Sequence, residues 1–90
     1  MNNKKIELFL YVKSECSACE DFESSLDEMG LFYHVINIEV DPELIHRYGA
    51  RIPVLLANDR EVCEGRFDPL KLNKAGLHSS QKNTLNKRLQ

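Results

Sequence analysis

The sequence predicts an α/β fold with the element order β-α-β-α-β-β-α, in which a four-stranded mixed sheet is flanked by three helices. Two apolar stretches with strand character enclose a stretch with helical periodicity. Asp-Pro pairs mark two helix starts, and an Asn-Asp pair separates two short strand-like segments. A right-handed strand–helix–strand crossover makes the first two strands parallel, whereas the tight turn makes the last two antiparallel.

The first predicted strand covers residues 6–12 and is apolar on both faces, which is typical of a strand in the middle of a covered sheet. The apolar period then changes to steps of three, four and three, which predicts one buried stripe of a helix. The residues of this stripe are Cys19, Phe22, Leu26 and Met29. Gly30 is expected to end the helix, because glycine favours the C-terminal cap.

The middle of the chain is predicted to form a second strand over residues 32–40 and a short helix over residues 43–48. Asp41 is suited to cap that helix, and Pro42 is suited to its first position. Gly49 is expected to end it.

The third and fourth strands are predicted over residues 54–57 and 60–64, with a tight turn at Asn58-Asp59. Asp68 followed by Pro69 repeats the helix-start pattern. We therefore predict a last helix that runs to about Ala75.

Ninety residues correspond to one domain. We place this domain at residues 1–77. We expect residues 78–90 to be a polar tail that is either disordered or carries a final short helix with Leu85 and Leu89 on one face.

The twelve basic and fourteen acidic residues give a net charge of −2, which argues against nucleic acid or an anionic membrane as a partner. No apolar run reaches the roughly 20 residues of a membrane span. The apolar run at residues 6–12 is interrupted by Glu7 and is not followed by a small-residue cleavage site, so we expect a cytoplasmic protein. We also expect a monomer.

Cys16-Ser17-Ala18-Cys19 is the motif with the clearest chemical meaning. Three cysteines in total argue against a structural disulfide framework, and a close pair in a βαβ pattern favours redox chemistry. Cys16 should lie at the helix N-terminus, where unpaired amides and the helix dipole stabilise a thiolate. Cys19 lies one turn further on and is suited to resolve a mixed disulfide, because residues three apart on a helix are within disulfide range.

Charged neighbours act on this thiol in both directions. Lys13 favours the thiolate, whereas Glu15, Glu20 and Asp21 disfavour it. We therefore expect only a moderately lowered pKa for Cys16.

A Cys-x-x-Cys pair also occurs in zinc sites, which normally take four ligands. The other candidate ligands form no second close pair; they are Cys63, His34, His46 and His78. We predict no metal site, with His34 and His46 at the surface and Cys63 as a small buried core residue. The alternatives are two packing cysteines, a non-catalytic binding module, and a metal or iron–sulfur carrier that uses Cys16.

Three segments together resemble known proteins. Residues 11–19 resemble the active-site segment of glutaredoxins, with a strand-ending Tyr and a Lys three residues before the first Cys. Residues 51–54 (Arg-Ile-Pro-Val) resemble the cis-proline loop of the thioredoxin superfamily, and residues 65–68 resemble the segment that enters the last glutaredoxin helix. Runs between residues 41 and 55 are similar to short bacterial glutaredoxin-like proteins. The resemblance spans about residues 6–75 and implies a thioredoxin-like fold.

The resemblance implies thiol–disulfide exchange and electron transfer in cell redox homeostasis, with Cys16 as the nucleophile, Cys19 as the resolving thiol and Pro53 in the cis-proline loop. It implies a disulfide-containing protein or a low-molecular-weight disulfide as the substrate, and no bound cofactor. Glutathione or a dithiol reductant is the expected co-substrate. The residues implied in glutathione binding are Lys13, Arg51, Ile52, Gly65, Arg66 and Asp68.

The sequence departs from the glutaredoxin pattern at three places. Ser17-Ala18 replaces Pro-Tyr, Ile52 replaces Thr, and Glu64 replaces the first glycine of a Gly-Gly pair. These departures leave glutathione and a flavoprotein reductase as alternative sources of electrons.

Overall fold

The computed structural model describes residues 6–78. The elements are β1 (Leu8–Val12), α1 (Ser17–Glu28), β2 (His34–Asn37), a 3₁₀ turn (Ile38–Val40), α2 (Pro42–Tyr48), β3 (Val54–Ala57), β4 (Arg60–Glu64) and α3 (Pro69–Lys74). The predicted α/β class, the order of elements and the mixed four-stranded sheet with three helices are confirmed.

The sheet has the strand order β2-β1-β3-β4, so β1 is an inner strand as its two apolar faces predicted. β1 pairs parallel with β2 and antiparallel with β3, and β4 extends the sheet antiparallel to β3. A short loop connects the carboxyl end of β1 to α1. The cysteine pair therefore lies beyond the carboxyl end of an inner strand.

The two faces of the sheet carry separate apolar cores. The larger core gathers side chains from β1, α1 and α3; its residues are Leu8, Leu10, Val12, Cys19, Phe22, Leu26, Leu55, Cys63, Leu72 and Leu77. The smaller core lies on the α2 side and consists of Ile38, Tyr48, Val54 and Leu56, with Phe9 and Tyr11 packed against it. Because side chains alternate along β1, the strand contributes to both cores.

The second strand is shorter than predicted. Residues 32–40 were expected to be extended, but only His34–Asn37 form the strand and Ile38–Val40 form a 3₁₀ turn. The side chain of Asn37 accepts a hydrogen bond of 2.8 Å from the amide of Glu39, which takes that amide out of any strand ladder. The apolar character of this run therefore reflects the burial of Ile38, not a continued strand.

The two Asp-Pro starts behave as predicted. The carboxylate of Asp41 accepts from the amide of Glu43 at 2.9 Å, and the carboxylate of Asp68 accepts from the amide of Leu70 at 3.0 Å. Each proline occupies the first turn, where its missing N–H costs no hydrogen bond. One carboxylate oxygen of Asp68 thus caps the N-terminus of α3.

The predicted division between a domain at residues 1–77 and a tail at residues 78–90 remains a prediction, and the helix predicted at Leu85–Leu89 lies outside the described residues. Within residues 6–78, no helix is both long and apolar enough to cross a membrane.

Candidate active site around Cys16 and Cys19

Cys16 and Cys19 form a disulfide at the start of α1, with their Cα atoms 5.2 Å apart. Cys16 is the N-cap residue and is half-buried, whereas Cys19 is only 2% exposed within the larger core. This asymmetry matches the expected roles, since an attacking thiol must reach a substrate and a resolving thiol need not.

The sulfur of Cys16 takes the place of a helix-capping oxygen. The amide of Cys19 donates to the Cys16 Sγ at 3.0 Å, and the amides of Cys19 and Glu20 donate to the Cys16 carbonyl at 3.1 Å. An amide donor and the positive end of a helix dipole at this position are features that stabilise cysteine thiolates in proteins.

The loop before Cys16 is held by Glu39. The backbone amide and hydroxyl of Ser14 donate to one Glu39 carboxylate oxygen at 3.3 and 2.7 Å. The Ser14 hydroxyl is the main cause of a lowered pKa for Glu39, to which Lys13 also contributes. Glu39 was not predicted from the sequence, because it is 25 residues from Ser14 and no local pattern links the two residues.

Glu15 joins this loop to Cys16 with a backbone φ of 51°, in the left-handed region that few non-glycine residues adopt. Lys13 is exposed, as a residue that meets a substrate carboxylate must be.

The cis-proline loop before β3 and the segment after β4 are joined to each other by a hydrogen bond. The Ile52–Pro53 peptide bond is cis, in agreement with the loop that the resemblance implies, and Pro53 is fully buried. The amide of Gly65 donates to the carbonyl oxygen of Pro53 at 2.7 Å. Ile52 and Cys16 both pack against the larger core. The same core therefore positions the predicted nucleophile and Ile52, whose backbone is predicted to face the substrate.

Arg51 has partners within the chain. Its Nε and Nη2 atoms donate to one carboxylate oxygen of Glu64 at 3.1 and 2.9 Å, and Nη2 also bonds to Glu61. Its guanidinium lies 5.3 Å from the ring centre of Tyr48. These two carboxylates raise the pKa of Arg51. Arg51 was predicted to contact glutathione; here its Nε and Nη2 donors are directed to protein carboxylates, and the predicted contact stays a prediction.

A groove of about 530 Å³ runs between α1 and the segment after β4. Its lining consists of Ala18, Asp21, Phe22, Ser25, Gly65, Arg66 and Phe67. Gly65 and Arg66, both predicted as binding residues, therefore form one wall of a depression whose other wall is the cysteine-bearing helix.

Cys63 is buried and free, and burial raises the pKa of its thiol. This agrees with its prediction as a core residue. His34 and His46 are exposed, also as predicted. Between residues 6 and 78, no three His, Cys, Asp or Glu side chains are gathered in a way that holds a metal ion.

Comparison with known proteins agrees with this geometry. Residues 7–75 match the family described as "Glutaredoxin-like domain (DUF836)". Among curated proteins, none matches the chain.

Several solved structures are similar. A protein from Nitrosomonas europaea is 30% identical with a TM-score of 0.72, and the alignment covers 83% of this chain and 98% of that one. A structural-genomics target from X. campestris is 28% identical with a TM-score of 0.66, covering 76% and 92%. The glutaredoxin-like protein NrdH-redoxin from Escherichia coli is 22% identical with a TM-score of 0.60, covering 76% and 92%, and shares the fold.

The family match covers most of the chain and includes both cysteines, the cis-proline loop and the Gly65–Asp68 segment. The chain belongs to the glutaredoxin-like domain family.

Proposed function

We propose that this protein is a thiol–disulfide oxidoreductase that reduces disulfides or mixed disulfides through Cys16 and Cys19. The observation that carries the proposal is the hydrogen bond from the Cys19 amide to the Cys16 sulfur at the N-terminus of α1. A sulfur that already accepts an amide hydrogen bond there is stabilised as a thiolate, which is the form that attacks disulfides.

The reaction has two exchange steps. The Cys16 thiolate attacks one sulfur of a substrate disulfide, whose S–S bond breaks, and the leaving sulfur departs as a thiolate that takes up a proton. The Cys19 thiol then loses its proton and attacks Cys16, which releases the second substrate sulfur. In total, two cysteine thiols are oxidised to the Cys16–Cys19 disulfide and one substrate disulfide is reduced to two thiols.

A second turnover requires electrons from a dithiol reductant, glutathione or a flavoprotein reductase, and no bound cofactor. A reductase of this kind operates in a reducing compartment such as the cytoplasm. The thioredoxin-like activity profile named for NrdH-redoxin supports a protein disulfide as one substrate class, by analogy of fold.

The test follows the reduction of insulin and of a glutathione mixed disulfide with a dithiol reductant. We expect Cys16→Ser to remove activity, and Cys19→Ser to accumulate a mixed disulfide on Cys16 that mass spectrometry detects. Cys63→Ala is the matched control, because Cys63 is buried in β4 and takes no part in the exchange. An unmodified protein that reduces neither substrate, with no defined two-electron potential in glutathione buffers, contradicts the proposal.

A further inference from the structure

An irregularity in β4 brings two carboxylates to one guanidinium. Leu55 pairs with Cys63 and the next residue, Leu56, pairs with Glu61, so Val62 is an extra residue in β4. In a regular strand, side chains three positions apart lie on opposite faces. A bulge shifts this alternation by one. Glu61 and Glu64 therefore both lie on the α2 side of the sheet, where both bond to Arg51.

These contacts engage the Nε and Nη2 donors of Arg51. Its side chain is only 31% exposed, it stacks near Tyr48, and both of its ion-pair partners are about half-exposed acids. Two negative charges against one positive charge give these three side chains a net charge of −1, and a second guanidinium, that of Arg47, lies 5.9 Å from the centre of the same Tyr48 ring. A substrate carboxylate that approaches Arg51 therefore finds its Nε and Nη2 donors already bonded to protein carboxylates and meets the negative charges of Glu61 and Glu64.

The Arg51 cluster is attached to both segments that lie beside the dithiol. Arg51 is followed directly by Ile52 and the cis-proline, and Glu64 is followed directly by Gly65, whose amide bonds to Pro53. The charge of this cluster therefore lies next to the backbone of Ile52, along which an extended substrate is predicted to bind.

The charges beside the cysteines also disfavour the approach of an anionic substrate. Glu15, Glu20 and Asp21 are exposed next to the pair, against the exposed cations Lys13 and Arg66. Within residues 6–78, the surroundings of Cys16 are thus more acidic than basic.

We propose that Glu61 and Glu64 are specificity-determining residues that neutralise Arg51 and turn the Cys16 site away from anionic small disulfides such as glutathione disulfide. This inference rests on the proposed function and narrows its substrate class. Disulfides that carry no carboxylate close to the sulfur, as in many protein substrates, are the favoured substrates.

The test measures how fast the reduced protein is oxidised by two small disulfides. With glutathione disulfide, the Cys16 thiolate breaks the S–S bond and releases one glutathione thiol, and Cys19 then releases the second. Two protein thiols are thereby oxidised to a disulfide, and glutathione disulfide is reduced to two glutathione thiols. Hydroxyethyl disulfide reacts by the same steps but is uncharged. The ratio of the two rate constants therefore reports charge selectivity, while changes in the nucleophile affect both rates.

We expect Glu61→Gln/Glu64→Gln to raise the ratio in favour of glutathione disulfide by about fivefold, a size typical of exposed charge pairs. Glu64→Gln alone, which leaves the Glu61 pair in place, should give a smaller rise and provides a second variant of milder effect on the fold. Glu43→Gln removes one negative charge from exposed α2, as Glu64→Gln does from β4, and is the matched control for that single variant. It should leave the ratio within about twofold of that of the unmodified protein.

The role of Arg51 is isolated by a double-mutant cycle. Arg51→Gln should lower the ratio modestly in the unmodified protein, where it leaves Glu61 and Glu64 without their cation, and should lower it more in the Glu61→Gln/Glu64→Gln background, where Arg51 is free to bind a substrate carboxylate. A gain that is undiminished without Arg51, or that Glu43→Gln reproduces, overturns the inference. If hydroxyethyl disulfide reacts and the ratio does not respond, only the inference fails. If neither disulfide oxidises the dithiol, the proposed function fails and the inference fails with it.

Discussion

The backbone amide of Gly65 donates a hydrogen bond of 2.7 Å to the carbonyl oxygen of Pro53. This bond joins the segment after β4 to the loop before β3, and these are the two segments that lie beside the cysteine-bearing helix. Gly65 adopts a φ of +77°, a conformation that glycine reaches without steric cost. The shape of the candidate binding surface thus depends on one residue without a side chain.

We expect Gly65→Ala to lower the free energy of unfolding by about 1 kcal/mol, because a Cβ raises the energy of the left-handed conformation. A Cβ at this position meets no atom within 4 Å, so the loss comes from the backbone and not from a clash. Gly65→Asn should lose less, since Asn tolerates positive φ better than Ala. Urea unfolding of the oxidised proteins measures both; equal stability of Gly65→Ala and the unmodified protein contradicts the assignment.

Glu39 should stabilise the fold in a pH-dependent way. Hydrogen bonds from Ser14 lower the pKa of Glu39 in the folded state. The contribution is therefore complete above the ordinary glutamate value of about 4.3 and is lost as the pH falls through the lower folded pKa.

Glu39→Gln should accordingly be less stable than the unmodified protein at pH 7, with a smaller difference at pH 3. The measurement is the urea midpoint at several pH values, and Glu43→Gln on α2 provides a control with the same change of charge. A gap between the two proteins that stays constant or widens toward pH 3 is the contrary result.

The hydroxyl of Tyr33 connects the entry to β2 with α1. It donates to a carboxylate oxygen of Asp27 at 2.8 Å and contacts the carbonyl oxygen of Glu23 at 3.4 Å. Burial and the Asp27 hydrogen bond raise the pKa of Tyr33. The stabilisation is therefore fully present below the ordinary tyrosine value of about 10 and is lost only as the pH rises through the higher folded pKa.

Tyr33→Phe should lower the free energy of unfolding by about 1 kcal/mol at pH 7, the typical net value of one hydrogen bond. In an ultraviolet titration of the folded protein, the same variant should lack the tyrosine that ionises at the highest pH. Asp27→Asn keeps an acceptor oxygen and should cost less. Loss of a tyrosine that ionises in the ordinary range is the outcome that disproves the assignment.

Cys63 should be chemically silent in the native protein, because it is 5% exposed and burial raises the pKa of its thiol. In the fully reduced protein, iodoacetamide should modify Cys16 first and Cys63 at least about a hundredfold more slowly, since reaction there requires opening of the structure. Peptide mapping by mass spectrometry distinguishes the two sites. Denaturant should remove the difference, and equal native rates would show that Cys63 is accessible.

The local elements were largely predictable, because their signals are short-range. These signals are the apolar period of β1 and α1, the Asp-Pro starts of α2 and α3, and the turn at Asn58-Asp59. They act within a few residues and agree with the observed bounds to within about two residues. The second strand was the exception. Apolar residues at 38 and 40 resemble a continued strand, but the Asn37 side chain diverts the backbone into a 3₁₀ turn.

For this protein, the sequence alone determined the fold class and the position of the dithiol, since Cys16 and Cys19 follow a strand and open a helix. The tertiary structure decided which charges act together. Glu39 reaches Ser14 across 25 positions, and Glu61 and Glu64 share Arg51 only because the bulge at Val62 turns both to one face. Strand register and bulges arise from pairing between distant segments, whereas period-2 alternation alone would put these two acids on opposite faces. The proposed chemistry of the site could thus be predicted from four consecutive residues, whereas the proposed charge selectivity depends on contacts that exist only in the folded chain.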